Sequence, residues 1–203
     1  MKYVESFENY NTNYYKLRKF INKVKTASKF AEDAHKDQKR KGGDPYFIHP
    51  DAVAKIVHEV KKSDHIAHLI AAAYLHDVVE DTDYSIEQIR HVFGEIVGGL
   101  VDELTSDKEK IEISGKEEYL IDKMIGMTSW ALVIKLADRL HNLSDFKDIM
   151  NGDDEKRKKW AKKYAEQTRS IMDEIEWYRD LSDTQLNLVN KIRHKLNVAL
   201  ETH

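Results

Sequence analysis

The stretch "LIAAAYLHDVVEDTDYS", residues 69–85, begins as a buried helix and ends in a cluster of acidic groups. Its first seven residues, 69–75, are apolar or small on every side, and a helix that is apolar all round lies in a protein core. A histidine and four carboxylates follow: His76, Asp77, Glu80, Asp81 and Asp83. Because an ordinary surface would not explain the apolar run before them, these polar groups are expected to face a functional site.

Composition limits the class of protein to a globular one with a sizeable core. The chain has 203 residues, of which 41% are hydrophobic and 34% charged, and its net charge is −3. That charge gives no general attraction to nucleic acid or to an anionic membrane, so neither is expected as a partner. Without cysteine there is no disulfide, no thiolate nucleophile and no cysteine-ligated zinc. No apolar run of signal-peptide or membrane-spanning type occurs, which predicts a cytoplasmic protein.

Helical periodicity dominates the chain, and signals for strands are scarce. The only prolines are Pro45 and Pro50, and the remainder of the chain lacks strong helix breakers. Helices are predicted over residues 23–39, 49–62, 65–79, 85–94, 94–105, 115–126, 129–147, 153–179 and 182–201. The sequence therefore predicts an all-α fold of about eight to ten helices. We expect a single domain over 1–203, with a core of about 20–150, a C-terminal helical pair of about 153–201, and a candidate hinge at 151–159.

Histidine or aspartate occupies three places where the periodicity predicts the interior. These are His49 after Phe47-Ile48, the His76-Asp77 pair, and Asp138 within the apolar segment "ALVIKLADRLHNL". A buried, unpaired carboxylate costs several kcal/mol, so Asp138 needs a nearby cation. Two imidazoles and two carboxylates together suit a divalent ion, and manganese, iron and zinc are all compatible with that set.

Each of these residues also has an ordinary structural explanation. A His-Asp dipeptide alone is expected by chance in a chain of this composition, and a single interior histidine is more often a hydrogen-bonded core residue than a metal ligand. Asp138 could form a structural ion pair with Arg139 or Lys135. The metal hypothesis is favoured by the joint pattern of one histidine before a helix, His-Asp on the next helix, and aspartate on a later apolar helix.

That pattern, His49 … His76-Asp77 … Asp138, resembles the HD superfamily of metal-dependent phosphohydrolases. Three separated segments, 34–50, 75–82 and 135–143, look like the hydrolase domain of the Rel/SpoT alarmone enzymes, in matching order and spacing. These enzymes remove the 3′-pyrophosphate from ppGpp and pppGpp, and the chain is similar in length to the small, single-domain alarmone hydrolases. The resemblance implies an HD-domain helical bundle with His49, His76, Asp77 and Asp138 as ligands of manganese.

The acidic helix end has a role in the same family. Glu80 and Asp81 follow His76 and Asp77 by three or four residues, which returns them to the same helical face. The resemblance implies that this Glu-Asp pair assists the hydrolytic water as catalytic residues. A divalent metal lowers the pKa of bound water, and a nearby carboxylate can orient that water or accept its proton. A solvated helix end, or a cap for the helix near Ser85, is the alternative explanation.

Substrate contacts are also implied by the resemblance. In the basic loop "KRKGGDPY", residues 39–46, it points to Arg40 packing on guanine and Lys41 lying near phosphate, whereas an ordinary basic surface loop is the alternative. The commoner family form has serine where this chain has Gly42. Further candidates are Tyr46, which is expected to pack rather than react, Lys135, which could equally form a surface ion pair, Asn142 at the nucleoside, and Tyr164 on a later helix.

The resemblance thus implies a manganese-dependent enzyme that hydrolyses the 3′-pyrophosphate of ppGpp or pppGpp to GDP or GTP and pyrophosphate. Two alternatives stay open at the level of sequence. One is an HD phosphohydrolase for another nucleotide, such as a nucleotide monophosphatase or an NADPH phosphatase. The other is a non-catalytic alarmone-binding module, against which the presence of both the four ligands and the Glu80-Asp81 pair argues.

Overall fold

The computed structural model of the chain is all-α, as predicted. It describes residues 2–40, 42–144 and 146–200, without the side chains of residues 2–14, 147, 148, 151, 199 and 200. Twelve helical segments occur in these residues, and nine of them have eight residues or more. They are α1 (Lys2–Ala34), α2 (Ile48–Val60), α3 (Ile66–Leu75), α4 (Val78–Asp81), α5 (Ile86–Phe93), α6 (Glu95–Leu104), α7 (Lys108–Ser114), α8 (Lys116–Gly126), α9 (Ser129–Asn142), α10 (Phe146–Asn151), α11 (Glu155–Tyr178) and α12 (Asp183–Leu200).

The helix α3 lies at the centre of the bundle. All residues from Leu69 to Leu75 are buried, and α3 contacts α1, α2, α6 and α9. Removing such side chains from water contributes about 1.5–3 kcal/mol for each large aliphatic residue, which is why a helix without a polar face is stable there. The second helix of the core is α9, in which Ala131–Ile134 and Leu136–Leu140 are buried.

The C-terminal helices pack on this core. α12 contacts α9, and α11 contacts α8. Buried side chains from both, including Ile171, Ile175 and Ile192, belong to the same hydrophobic cluster as those of α3. The connection between α10 and α11 lies within the predicted hinge, and Asp154 caps α11 by accepting hydrogen bonds from the backbone N–H groups of Lys156 and Arg157.

Three helix boundaries differ from the sequence-based expectation. α1 begins at Lys2 rather than near residue 23, the helix predicted over 65–79 is interrupted at His76-Asp77, and the one predicted over 129–147 ends at Asn142. A short helix, α7, was not predicted. α5 begins with a capping box, in which Ser85 and Gln88 exchange both side chain–backbone hydrogen bonds. No helix in the described part of the chain has the length and apolar character needed to cross a membrane.

Candidate metal centre and active site

Three helices of the core bring the four predicted metal ligands together. His49 is the second residue of α2, His76 and Asp77 form the break between α3 and α4, and Asp138 lies in α9. Because α2, α3 and α9 contact one another, residues far apart in sequence share one pocket. His49 and His76 are fully buried, and the carboxylates of Asp77 and Asp138 are largely so.

The ligand atoms lie at the separations expected around a single ion. Nε2 of His49 is 3.2 Å from Oδ1 of Asp138 and 3.5 Å from Oδ2 of Asp77. Nε2 of His76 is 3.2 Å from the same Asp77 oxygen and 3.9 Å from Oδ1 of Asp138. Nitrogen and oxygen ligands bound about 2.0–2.2 Å from one ion lie roughly 3 Å apart. His49, His76 and Asp77 alone already form a group that could hold a metal ion.

Hydrogen bonds on the outer side of both imidazoles orient Nε2 inward. Nδ1 of His76 lies 2.8 Å from the backbone oxygen of Ala73, to which it donates, and this leaves a lone pair on Nε2. That Nε2 atom is buried without a hydrogen-bond partner among the described residues. Nδ1 of His49 lies 2.8 Å from Nδ1 of His141. A metal-binding histidine is typically held in this way by a partner at its second nitrogen.

The two buried carboxylates of the cluster attract a positive charge to the space between the four side chains. Burial lowers the pKa of His76, but the carboxylates of Asp77 and Asp138 outweigh that effect and raise its pKa to about 9. Burial alone would raise the pKa of Asp77, yet His76 and His49 hold it below its usual range. Lys135 and the two histidines do the same for the pKa of Asp138. Two lone-pair nitrogens facing two carboxylates are stable together when a cation lies between them, so the residues fit a divalent metal ion.

The acidic pair predicted to be catalytic lies beside these ligands. Oε2 of Glu80 accepts a hydrogen bond of 3.0 Å from the backbone N–H of Ser106, which fixes this carboxylate from outside α4. The hydroxyl of Tyr46 lies 2.7 Å from Oδ2 of Asp77 and 2.8 Å from Oδ2 of Asp81. Burial and the neighbouring charges of Asp77 and Glu80 raise the pKa of Asp81, although the hydrogen bond from Tyr46 opposes this. Tyr46 therefore packs against the predicted ligands, as a link between Asp77 and Asp81.

Cationic groups also line this cavity, which has a volume of about 220 Å³. Lys135 is largely buried and its Nζ lies 3.0 Å from Oδ2 of Asp138, so its ion pair is not a surface one. Arg139, the other partner considered for Asp138, instead donates to Oγ1 of Thr168, and its Cζ is 5.4 Å from the ring centroid of Tyr164. Tyr164, predicted to contact substrate, thus lines the cavity together with both cations.

The basic loop reaches the cavity through Arg40. Its NH2 donates a 2.9 Å hydrogen bond to Oδ1 of Asn142, whose Nδ2 donates a 2.7 Å hydrogen bond to Oδ1 of Asp138. The loop closes on itself through a hydrogen bond from the backbone N–H of Arg40 to the oxygen of Asp44. Arg40 and Asn142 are therefore joined to the predicted metal ligands. Lys41, the other predicted contact of this loop, lies outside the described residues.

Several residues of the site were not predicted from the sequence. His141 follows Asp138 by three residues on α9, and this helical spacing is a signal that could have identified it. Arg139, Ser106 and Gln167 also line the cavity, and their positions depend on packing between distant helices. Arg157 and Trp160 of α11 line a second cavity beside Arg40.

Comparisons with known proteins agree with this geometry. Residues 27–171 match the family defined as the HD domain. The chain is 41% identical over 147 residues to the guanosine-3′,5′-bis(diphosphate) 3′-pyrophosphohydrolase of Aquifex aeolicus, covering 70% of this chain and 20% of that protein. It is 39% identical over 140 residues to the GTP pyrophosphokinase of Streptomyces coelicolor, covering 68% of this chain and 16% of that protein.

Shorter relatives match over more of their length. The mouse guanosine-3′,5′-bis(diphosphate) 3′-pyrophosphohydrolase MESH1 is 38% identical over 122 residues, covering 59% of this chain and 66% of the mouse protein. A solved structure described as a metazoan ortholog of SpoT that hydrolyses ppGpp superposes with a TM-score of 0.68 at 29% identity, covering 85% of this chain and 95% of that one. The structure of lmo0812 from Listeria monocytogenes shares the fold, with a TM-score of 0.58 at 21% identity. The HD-domain match spans more than half of the chain and contains all four predicted metal ligands, so this chain belongs to the HD-domain family.

Proposed function

We propose that this protein hydrolyses the 3′-pyrophosphate of ppGpp or pppGpp in a manganese-dependent reaction that yields GDP or GTP and pyrophosphate. The observation that carries the proposal is a single cavity in which the His/Asp cluster, the Glu80-Asp81 pair and four cationic side chains converge. The names of several relatives support this substrate. The chain spans only 16% of the Streptomyces pyrophosphokinase but about two thirds of the mouse hydrolase, which favours hydrolysis over pyrophosphate transfer.

His49, His76, Asp77 and Asp138 would hold the metal ion through two imidazole nitrogens and two carboxylate oxygens. Manganese accepts this mixed set, since nitrogen and oxygen ligands are both compatible with it. Bound there, a divalent ion supplies Lewis-acid chemistry, which polarises a phosphoryl oxygen and makes water more acidic. Lys135, paired with Asp138, balances the negative charge of the ligand set.

The reaction needs one water oxygen to bond to the phosphorus next to the 3′ oxygen, while the bond between that phosphorus and the 3′ oxygen breaks. Glu80 is held at one oxygen by the N–H of Ser106, and its carboxylate can orient the water and accept its proton. Asp81, linked to Asp77 through Tyr46, lies on the same side of the cavity. The leaving 3′ oxygen must gain a proton, and Asp81 is the second carboxyl group placed to relay one to it.

The cationic wall suits the other end of the pyrophosphate. Lys135 and Arg139 line the same cavity as the acidic pair, where they can neutralise phosphoryl oxygens. Asn142 separates this wall from Arg40, so the ribose would lie at Asn142 and the base at Arg40. Arginine suits that position because its planar guanidinium stacks on an aromatic ring.

The test is an anion-exchange analysis of products after incubation with manganese and, in separate reactions, ppGpp, pppGpp, GTP, dGTP or NADPH. We expect pyrophosphate together with GDP from ppGpp and GTP from pppGpp, and much slower turnover of the other three nucleotides. Release of inorganic phosphate from NADPH, or of triphosphate or phosphate from dGTP, as the fastest reaction would contradict the proposed substrate. Binding of ppGpp without any product would indicate a non-catalytic module.

A further inference from the structure

A second cavity, of about 340 Å³, adjoins the metal cavity on the side of the basic loop. The two cavities share Arg40, Tyr46 and Asn142. The rest of the second cavity is lined by Lys39, Gly42, Ile149, Arg157 and Trp160. No acidic residue is among its described lining residues, and the aromatic and aliphatic side chains give it broad apolar walls. Such walls with guanidinium groups at their edges suit a nucleobase, which stacks on aromatic rings and arginine planes.

Arg157 brings hydrogen-bond donors into this cavity from the first turn of α11. Its guanidinium lies above the basic loop, because a Cβ atom built at Gly42 would be 3.9 Å from its NH2. Its Nε is buried and has no hydrogen-bond partner among the described residues. In contrast, Arg40 already donates to Asn142. Arg157 therefore brings into this cavity a buried N–H donor that has no partner among the described residues.

We propose that Arg157 is a specificity-determining residue that binds the edge of the base and selects guanine over adenine. The inference rests on the proposed function, since it assigns the base of the same nucleotide to the second cavity. Guanine presents two acceptors, O6 and N7, to a side chain that can only donate, whereas adenine presents one acceptor and one donor. Two N–H groups of an arginine there can donate to O6 and N7 of guanine. On adenine, one of these N–H groups would instead face the N–H donor of the amino group.

Calorimetric titration of the full chain with GDP, IDP and ADP tests this, because hypoxanthine has the same O6 and N7 as guanine. We expect GDP and IDP to bind with similar affinity, and ADP about 10-fold or more weakly, as one bidentate contact allows. In Arg157→Gln, whose amide matches adenine, GDP affinity should fall about 10-fold while ADP affinity holds or rises. Arg157→Lys should keep the preference for guanine, and Lys159→Gln, which removes an exposed charge on the same helix, should change nothing.

Equal losses of GDP and ADP affinity in Arg157→Gln would mean that Arg157 binds phosphate, and the inference would be wrong. The inference would also be wrong if neither affinity changed in that variant, or if the wild-type protein did not bind GDP. Pyrophosphate release from ppGpp by the wild type is measured in parallel. If that reaction occurs and the ratio does not change, only this inference fails, whereas its absence contradicts the proposed function itself.

Discussion

At the scale of single residues, His141 is the side chain that orients a predicted metal ligand without contacting the ion. Burial lowers the pKa of His141 to about 4, and its neighbours His49 and Arg40 act in the same direction, so the ring is neutral at pH 7. A neutral Nδ1 of His141 can accept the hydrogen of Nδ1 of His49 across 2.8 Å, which leaves Nε2 of His49 to bind metal.

We expect His141→Ala to weaken manganese affinity by about 10- to 100-fold, the usual effect of losing such a partner. Electron paramagnetic resonance of free manganese during a titration measures this affinity directly. His58→Ala, which removes an exposed histidine of α2, serves as the control and should match the wild type. An unchanged affinity in His141→Ala would show that His49 keeps its orientation through packing alone.

Glu80 carries the second prediction at this scale. Glu80→Gln preserves the size of the side chain and an oxygen that can accept from the N–H of Ser106, but it removes the basic oxygen. We expect normal manganese content and a normal melting temperature, with turnover of ppGpp slower by about 100-fold or more. Asp83→Asn, an exposed carboxylate in the following turn, should retain full activity. Near-normal turnover in Glu80→Gln would return Glu80 to the role of a helix-end carboxylate.

At the scale of elements, the contact between α5 and α6 depends on the absence of a side chain at Gly98. The two helices meet at Gly94, whose φ of +86° favours glycine. A Cβ at Gly98 would overlap Cγ of Arg90 and lie 3.1 Å from its Cα. Arg90 cannot move freely, because its guanidinium lies 2.7 Å from Glu95 and 2.9 Å from Asp102.

We therefore expect Gly98→Ala to reduce the free energy of unfolding by about 1–3 kcal/mol. Gly99→Ala is a matched control on the same helix, because a Cβ there would meet no atom within 4 Å. That change should stabilise the protein by roughly 0.5–1 kcal/mol through higher helix propensity. Chemical denaturation of the three proteins measures both effects, and equal stabilities of the two variants would contradict the tight contact at Gly98.

Helices whose apolar residues pack in the core could be predicted from the sequence, whereas contacts between distant helices could not. The apolar runs of α3 and α9 predicted their burial, and the helix predicted over 85–94 corresponds to α5. The first twenty residues of α1 also carry a helical signal, because Phe7, Tyr10, Tyr14, Leu17 and Ile21 follow one another at three or four residues, so its early start could have been predicted. The break at His76-Asp77 was missed because a continuous helix fits the same periodicity. Arg157 and Trp160 entered the site only because α11 packs beside the basic loop, a contact that spacing along one helix cannot reveal.

At the scale of the whole molecule, the metal centre and the hydrophobic core share the helices α2, α3 and α9. Its ligands are thus positioned by the same packing that stabilises the bundle, which gives the site a rigid frame. α11 supplies Tyr164 and Arg157 to the two cavities, while α12 packs against α9. We propose that the C-terminal helical pair folds with the core as one domain, since its buried side chains belong to the same hydrophobic cluster.

The most direct test of the account is the release of pyrophosphate from ppGpp by protein stripped with a chelator and then titrated with manganese. We predict no release from the stripped protein, and a saturating return of activity at about one manganese ion per chain. Asp138→Asn, measured in the same way, should stay inactive over that range while remaining folded by circular dichroism. Full activity of the stripped wild-type protein in the continued presence of the chelator would contradict the account.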